Sequence, residues 1–478
     1  MLRSSNALTL VVAGLAWPAG LAALGRVVAP HRPAVGVIAP VIGSAYFAFP
    51  TFLSAWGWPN ALAVALLPGA LAWGIAVLRP AAAGAAPRVM CALATALALA
   101  GIGLSHPNGV LSFGVIATPL VVGLAVAASF SALRAPSGPR RAVAVGGPLV
   151  AAVAWCAAWW TVLVLAGQHV GDFSQQGTSG LWAGIERTLV GTNTGRYSNL
   201  VLLALLAVGV IVVAWRRGNR WLLVGLAAFA WLSGLAEGDY RFTWLTQAWF
   251  KVPERIIAPA VVLLALVIAI GLDAVIGQAE RSADRLAPRV APRVAHGRRR
   301  PIGRWTTAAG TVVALGLVAG TGALSADQRR AFLWDWTVGV SQPESQGSII
   351  TIPEMEMLQR LDGQLTPGAR ILGSPFNGST FAYAVAGIPV VFTNFSGRWS
   401  ADASLLAESF AEIHQNPEVC AALRRLGVEY YYVDATVYHP GHPFHAAYAG
   451  LPQEPPQPGF ELVDSGGSAR LYRITVCD

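Results

Sequence analysis

The fold of this chain is constrained above all by a series of apolar runs, each about 20 residues long and so about the length of a bilayer-spanning helix. They lie at residues 7–25, 34–52, 60–78, 88–105, 110–133, 146–167, 198–215, 220–237, 256–276 and 305–324. Of the 478 residues, 55% are hydrophobic and 12% are charged. Soluble proteins have roughly twice that charged fraction, about 25%. We therefore predict an α-helical polytopic membrane domain of about ten spans over residues 1–325.

An arginine-rich loop between the last two apolar runs assigns a side of the membrane to the rest of the chain. Arg281–Arg304 contains eight arginines and one acidic residue. Such a loop stays in the cytoplasm, because arginines near the ends of a span resist translocation. The last span then leads outward, and we predict that residues 326–478 form a small extracytoplasmic domain.

The other short loops agree with this assignment. The loops predicted to be cytoplasmic hold Arg26, Arg32, Arg79, Arg88, Arg134, Arg140, Arg141, Arg216, Arg217 and Arg220. The net charge of +9 therefore reflects membrane topology, and we predict membrane lipid as a partner and no nucleic acid. The same alternation puts the N-terminus outside. We therefore expect the membrane domain to be N-terminally incomplete; the alternative is a signal peptide with Arg3 ahead of its apolar core.

Residues 326–478 have the pattern of a soluble α/β domain. The predicted helices are Pro353–Leu365, Gly378–Ala386, Ala401–Gln415 and Pro417–Leu426. The predicted strands are Arg370–Gly373, Val390–Phe392, Val428–Val433 and a hairpin over Phe460–Ile474 that turns at Gly466 and Gly467. Alternation of strands and helices indicates the α/β class. No GxGxxG, P-loop or GxSxG motif occurs at a strand-to-helix junction, so the sequence gives no support for a nucleotide site or a hydrolase.

The four cysteines divide between the two predicted domains. Cys420 and Cys477 fall in the domain predicted to be extracytoplasmic, where disulfides persist, so we predict a bridge between them rather than two free thiols. Cys91 and Cys156 lie inside spans, where they serve as small apolar residues. No CxxC motif or Cys/His cluster suggests a metal.

Polar residues that could carry chemistry collect in three loops predicted to lie outside. One is the tight turn at His106, one is the 168–197 loop, and one is the 237–255 loop, whose aromatic residues are typical of the headgroup layer. An arginine at that height can bind a phosphate through two hydrogen bonds. The candidate catalytic residues are His106, Glu237 and Asp239, and the candidate substrate-binding residues are Arg241, Lys251, Glu254 and Arg255.

Each of these loops also has a purely structural interpretation. His106 can cap the end of a span. Leu181, Trp182, Ile185 and Leu189 are spaced as an apolar stripe on a short helix, which can simply pack at the water boundary. The 237–255 loop can be an aromatic anchor with solvated charges. The sequence leaves these alternatives open.

Several motifs resemble one group of proteins. The stretches GSPFNGSTFAYAVAGIPVVF, FSGRWSADASLLAESF and PEVCAALRRLGVEYYYV are similar to the C-terminal domain of an actinobacterial group of large multi-pass membrane proteins, classed as a domain of unknown function. In the membrane half, FPTFLSAWGWPN, SHPNGV and WFKVPERI are similar to the outer-loop motifs of that group. The resemblance covers nearly the whole chain, and Arg255 matches an arginine of the group.

The build of that group, with many spans followed by an extracytoplasmic α/β domain, resembles that of GT-C glycosyltransferases. The resemblance implies transfer of a sugar from a polyprenyl-phosphate donor to envelope glycan, with Arg255 holding the phosphate and an acidic residue polarising the acceptor hydroxyl. GT-C enzymes carry an acidic residue in the first outer loop as general base or metal ligand, so the resemblance suggests a divalent cation as cofactor. We expect this chain to begin after that point. In addition, Val252 stands where the group commonly has an aspartate, although Glu254 is adjacent to Arg255.

Two other functions remain as alternatives. One is a non-catalytic envelope-assembly or glycan-binding membrane protein. The other is a transporter of a lipid-linked substrate, which is disfavoured because Asp273 is the main ionisable residue within the spans. An acidic residue in an upstream outer loop would favour the transferase.

Overall fold

A computed structural model describes residues 11–46, 58–78, 85–134, 141–170, 179–190, 200–290, 316, 350–361, 363–395, 399–437 and 443–477. The chain divides into two compact units, Ala7–Arg330 and Ala331–Asp478. We call them the membrane unit and the C-terminal unit.

The described part of the membrane unit is helical. Its helices are α1 Trp17–Val28, preceded by a π-helical segment Val12–Ala16, then α2 Pro33–Ala45, α3 Trp58–Leu78, α4 Ala85–Ser105, α5 Pro107–Arg134, α6 Arg141–Val170, α7 Leu181–Val190, α8 Leu200–Trp215, α9 Trp221–Ala236 and α10 Pro253–Val290. Helices α3 to α6 and α10 are long and apolar enough to cross a bilayer, while α1, α2, α8 and α9 are shorter apolar helices. The protein is therefore a multi-helix membrane protein. The predicted span 305–324 lies outside the described residues except at position 316.

Helix α10 forms the centre of the membrane unit. Its apolar residues from Ile256 to Ile270 are almost completely buried on every side, as expected for a uniformly hydrophobic helix surrounded by others. Small residues let α8 approach it closely: a Cβ at Gly209 would lie 2.4 Å from the carbonyl oxygen of Val267. Helices α4 and α6, in contrast, bury very little of their surface.

Loops that were predicted to share a side of the membrane do lie together. On one face, Arg32 in the α1–α2 turn forms an ion pair with Asp273 of α10. Arg216 and Arg281 lie within electrostatic range of that pair. On the opposite face, the α4–α5 turn, α7 and the segment between α9 and α10 come together. This grouping follows the arginine pattern of the sequence.

The C-terminal unit is a small α/β fold. Its helices are α11 Ile352–Arg360, α12 Phe381–Ala386, α13 Ala401–Ser409 and α14 Pro417–Leu426, and its strands are β1 Arg370–Gly373, β2 Val428–Val433, β3 Phe460–Gly466 and β4 Ala469–Ile474. The sheet order is β1-β2-β4-β3. Strands β1 and β2 are parallel, and the other two pairs are antiparallel. The predicted membrane domain followed by a small α/β domain is thus confirmed as a fold class.

Several predicted elements of the C-terminal unit differ from those observed. The predicted helix Pro353–Leu365 is observed as α11, Ile352–Arg360, and the first residues of the predicted helix Gly378–Ala386 form a 3-10 turn, Gly378–Thr380. The predicted strand Val390–Phe392 is reduced to a single parallel bridge between Val390 and Ile371, because the chain then turns to place Phe392 against Trp399 and Tyr448. The predicted helix Ala401–Gln415 ends at Ser409 and continues as a 3-10 turn, Phe410–Glu412.

The early end of α13 has an identifiable cause. Gly450 packs against the helix backbone, and its N–H donates to the Ala407 carbonyl. The N–H of Ala411, which would bind that carbonyl in a continuous helix, donates to Gly450 instead. A loop distant in sequence therefore interrupts the helix.

The predicted disulfide is present. Cys420 on α14 is bonded to Cys477, which follows β4, with a Cα–Cα distance of 5.4 Å. The Arg424 side chain also donates to the Cys477 carbonyl at 2.5 Å. Both contacts attach the C-terminus to α14.

Candidate functional site

The candidate site includes the segment between α9 and α10. It contains a 3-10 helix, Thr243–Trp249, whose last residue is buried and donates from its indole N–H to Ser112 of α5 at 3.1 Å. Just before this helix, the Tyr240 hydroxyl accepts from the backbone N–H of Leu181 at 2.8 Å. These bonds fix the segment to α5 on one side and to α7 on the other.

Helix α7 packs on the end of α9 through glycines. A Cβ at Gly184 would lie 2.4 Å from the Ser233 carbonyl oxygen, and one at Gly234 would lie 2.6 Å from the Leu181 carbonyl oxygen. This contact buries Gly184 and Thr188 rather than the full predicted apolar stripe, and Trp182 is 77% exposed. The close approach brings Arg187 to the end of α9.

Glu237 is buried and paired with Arg187. The carboxylate is 3% exposed and accepts a hydrogen bond from Arg187 Nη1 at 2.5 Å. Burial raises the pKa of the Glu237 carboxyl above its usual range, while the Arg187 guanidinium acts in the opposite direction. The Arg187 guanidinium already occupies one oxygen of this carboxylate, so Glu237 is poorly placed to accept a proton from a substrate.

Arg255 lies in the first turn of α10, next to the ring of Phe250. Its guanidinium carbon is 4.4 Å from the centroid of the Phe250 ring. Nε and Nη1 are buried, and within the described part of the chain no atom accepts a hydrogen bond from either. A buried guanidinium without an acceptor is costly, because it loses its hydration and gains no partner. An anion with two acceptor oxygens is the kind of ligand that would accept hydrogen bonds from both nitrogens.

His106 also contacts the ring of Phe250. Its ring meets Phe250 edge-on, with 5.9 Å between centroids. Burial lowers the pKa of His106 to about 4, and the charge of Arg255 acts in the same direction. The imidazole is therefore neutral near pH 7. Its Nδ1 accepts from the Asn108 N–H at 3.4 Å, which leaves the proton on Nε2 as a hydrogen-bond donor.

The remaining candidate residues divide into two groups. Glu254 is half-buried and interacts electrostatically with Glu237, Arg187 and Arg255. These four residues form one charged cluster. Lys251 is also half-buried and directly follows Phe250.

Asp239 and Arg241 are exposed on the loop, and the guanidinium of Arg241 lies 5.6 Å from the Phe242 ring centroid. In the 168–197 loop, Asp172 and Arg196 lie outside the described residues.

Two contacts of the cluster could not be found from the sequence. Arg187 is 50 residues from Glu237, and no local pattern marks them as a pair. Phe250 looks like one more headgroup aromatic, yet it covers Arg255.

Among the described residues, no group of three or more His, Cys, Asp and Glu side chains could hold a metal ion.

An apolar cavity of about 480 Å³ lies between α3, α4, α5 and α6. Phe113 and Trp159 are part of its lining. The polar groups of two lining residues are already bonded within the bundle: Thr95 donates to the Cys91 carbonyl, and the Trp155 indole donates to Thr118. A cavity of this kind fits a hydrocarbon chain rather than water.

One known protein family matches the sequence of this chain. The sequence profile of a family of unknown function (DUF6541) matches residues 2–476. The chain belongs to this family. The resemblance of its motifs to a group without known function is thereby confirmed.

Two further comparisons add little. No curated protein matches the chain. Among solved structures, the chain is similar to ArnT from Cupriavidus metallidurans in the apo state, with 14% identity, a TM-score of 0.48, and coverage of 97% of this chain and 83% of ArnT.

Proposed function

We propose that this membrane protein is a GT-C-like glycosyltransferase that takes a sugar from a polyprenyl-phosphate donor and transfers it to envelope glycan. One observation carries the proposal: two nitrogens of the Arg255 guanidinium, Nε and Nη1, are buried and have no hydrogen-bond acceptor among the described residues. A phosphate would supply the missing acceptors. The apolar cavity between α3 and α6 is consistent with a donor that has a hydrocarbon tail.

The reaction assigns distinct roles to the clustered residues. The acceptor hydroxyl oxygen attacks the anomeric carbon, and the bond from that carbon to the phosphate oxygen breaks. The lipid phosphate leaves with the electron pair, and Arg255, together with the Nε2–H of His106, stabilises its growing negative charge. The hydroxyl proton passes to a carboxylate.

Glu254 is the better candidate for that carboxylate. Glu237, which the sequence also suggested, is held by Arg187. Glu254 is adjacent to Arg255 in the chain and interacts with it electrostatically. Asp239 and Arg241 are exposed, where they could meet the acceptor. We further propose, from the arginine pattern, that the site and the C-terminal unit lie outside the cytoplasm.

A second function is a non-catalytic envelope-assembly or glycan-binding protein. One observation favours it: the most deeply buried acid of the cluster, Glu237, is neutralised by Arg187. Such a protein would still bind a lipid phosphate at Arg255 but would transfer nothing. A lipid-linked substrate transporter is the third candidate, and the ion-paired Asp273 gives it little support.

Turnover separates the first two functions. The full-length protein in lipid nanodiscs is incubated with a polyprenyl-phosphate sugar and a glycan acceptor, and released polyprenyl phosphate is measured by mass spectrometry. We expect release by the unmodified protein and by Arg281→Ala, and loss of release in Glu254→Gln and Arg255→Ala. Binding without release in the unmodified protein would favour the assembly protein.

A further inference from the structure

The Phe250 ring occupies the place next to Arg255 that a ligand would need. It lies between two groups of the candidate site, 4.4 Å from the Arg255 guanidinium carbon and 5.9 Å from the His106 ring centroid. The face of an aromatic ring attracts a cation but accepts no strong hydrogen bond from its N–H groups. Phe250 therefore shields Arg255 without satisfying Nε or Nη1.

The backbone that carries this ring is in an unusual conformation. Phe250 has φ 61° and ψ 24°, and Lys251 has φ 53°. Both residues are left-handed, a region that bulky side chains rarely adopt and that glycine adopts readily. Backbone bonds from Phe250 N–H to the Gln247 carbonyl and from Lys251 N–H to the Thr246 carbonyl hold the turn.

The left-handed pair places the ring over Arg255. If either residue returned to the extended region, the ring would swing off the guanidinium. On one side the turn is anchored by Trp249, through its bond to Ser112, and on the other side by the start of α10. Motion can therefore be confined to these two residues. Strain of this kind is often concentrated at functional sites.

We propose that Phe250 is a positioning residue that covers Arg255 in the empty site and swings away when a phosphate binds, with Lys251 as the hinge. The proposal rests on the proposed function, in which Arg255 binds the phosphate of a lipid. A phosphate displaces the ring because charge-assisted hydrogen bonds replace the weaker cation–π contact. A neutral prenyl alcohol cannot form charge-assisted hydrogen bonds of this kind with Arg255. Such an alcohol therefore leaves the ring in place, and the ring moves aside only for phosphorylated isoprenoid lipids.

Substitutions at Phe250 and Lys251 should change the affinity for farnesyl phosphate in opposite directions. Phe250→Leu keeps apolar bulk but removes the cation–π contact, so the affinity for farnesyl phosphate should rise by about threefold to tenfold. Lys251→Gly favours the left-handed, closed turn, whereas Lys251→Ala disfavours it. Because both lose the lysine charge, their comparison isolates the backbone. We expect the Gly variant to bind about twofold to fivefold more weakly than the Ala variant.

The experiment measures farnesyl phosphate and farnesol binding to the full-length protein in detergent by calorimetry. Phe242→Leu is the matched control, because Phe242 makes the same kind of contact with the exposed Arg241; its affinity should not change. Farnesol leaves the ring in place, so its affinity should be the same for Phe250→Leu and the unmodified protein. Purely structural roles for Phe250 and Lys251 would not produce gains in affinity.

The outcomes separate this inference from the proposed function. If Arg255→Ala binds farnesyl phosphate as well as the unmodified protein, the phosphate site fails, and the cover fails with it. If Arg255→Ala binds weakly while Phe250→Leu shows no gain, the phosphate site stands and the cover is wrong. Equal affinities of the two Lys251 variants would also overturn the hinge.

Discussion

Glu354 should make the stability of the C-terminal unit depend on pH. It lies in the first turn of α11, 1% exposed, and forms a capping box in which its carboxylate accepts from the Thr351 N–H at 3.1 Å. The Tyr432 hydroxyl donates to its other oxygen. Burial raises the pKa of Glu354 to about 7, although these hydrogen bonds oppose the rise.

The direction and size of the pH effect follow from the raised pKa of Glu354. The folded pKa of about 7 lies above the ordinary value of 4.5, so the folded state binds a proton that the unfolded state releases. The stabilisation is fully present below about pH 4.5, falls as the pH rises toward 7, and is lost above the folded pKa. A difference of about 2.5 units corresponds to about 3 kcal/mol of unfolding free energy. Because the side chain is buried, solvent screening reduces this little.

Hydrogen exchange of the β2 amides in the full-length protein measures the effect. Between pH 5 and pH 8, the opening free energy should fall by about 3 kcal/mol more in the unmodified protein than in Glu354→Gln, which cannot ionise. Glu356→Gln, at an exposed position of the same helix, should behave like the unmodified protein. Parallel pH curves for the unmodified protein and Glu354→Gln would refute the reasoning.

Three more predictions address the rest of the chain. Arg187→Ala should destabilise the membrane unit by about 3 kcal/mol, because Glu237 is left buried and unpaired, and adding Glu237→Gln should restore most of the lost melting temperature. Cys420→Ala should cost the C-terminal unit about 4 kcal/mol, the loop-closure value for a separation of 57 residues; free thiols at both positions in non-reducing peptide mapping would contradict the bridge. In intact cells, a single cysteine at Ser345 should react with an impermeant reagent and one at Ser282 should not; the reverse result would invert the topology.

Local signals predicted some elements to the residue. Helix α14 and strand β2 have the predicted bounds, Pro417–Leu426 and Val428–Val433. Asn416 caps the helix, proline begins it, and Gly427 ends it in the left-handed conformation, so neighbours in the chain determine both ends. Helix α13 was predicted too long because Gly450, some 40 residues away, takes over its hydrogen bonds.

The sequence predicted which loops lie on the same face of the membrane unit, but not which residues pair there. Arginine placement and apolar length indicated which loops share a face, since both are properties of short segments. The partners within that face were not predictable. Glu237 looked like a free acid until α7 packed on α9 and brought Arg187 to it. Similarly, the cover over Arg255 depends on two left-handed residues that no sequence motif marks.

The central claim is that Arg255 binds the phosphate of a lipid, and the most direct test compares farnesyl phosphate with farnesol. We expect Arg255→Ala to weaken farnesyl phosphate binding by roughly tenfold to a hundredfold, the equivalent of about 1.5–3 kcal/mol for a charge-assisted contact, and to leave farnesol binding unchanged. Arg281→Ala, which removes an arginine on the opposite face of the membrane unit, should have little effect on either. Equal farnesyl phosphate affinities for Arg255→Ala and the unmodified protein would contradict the claim.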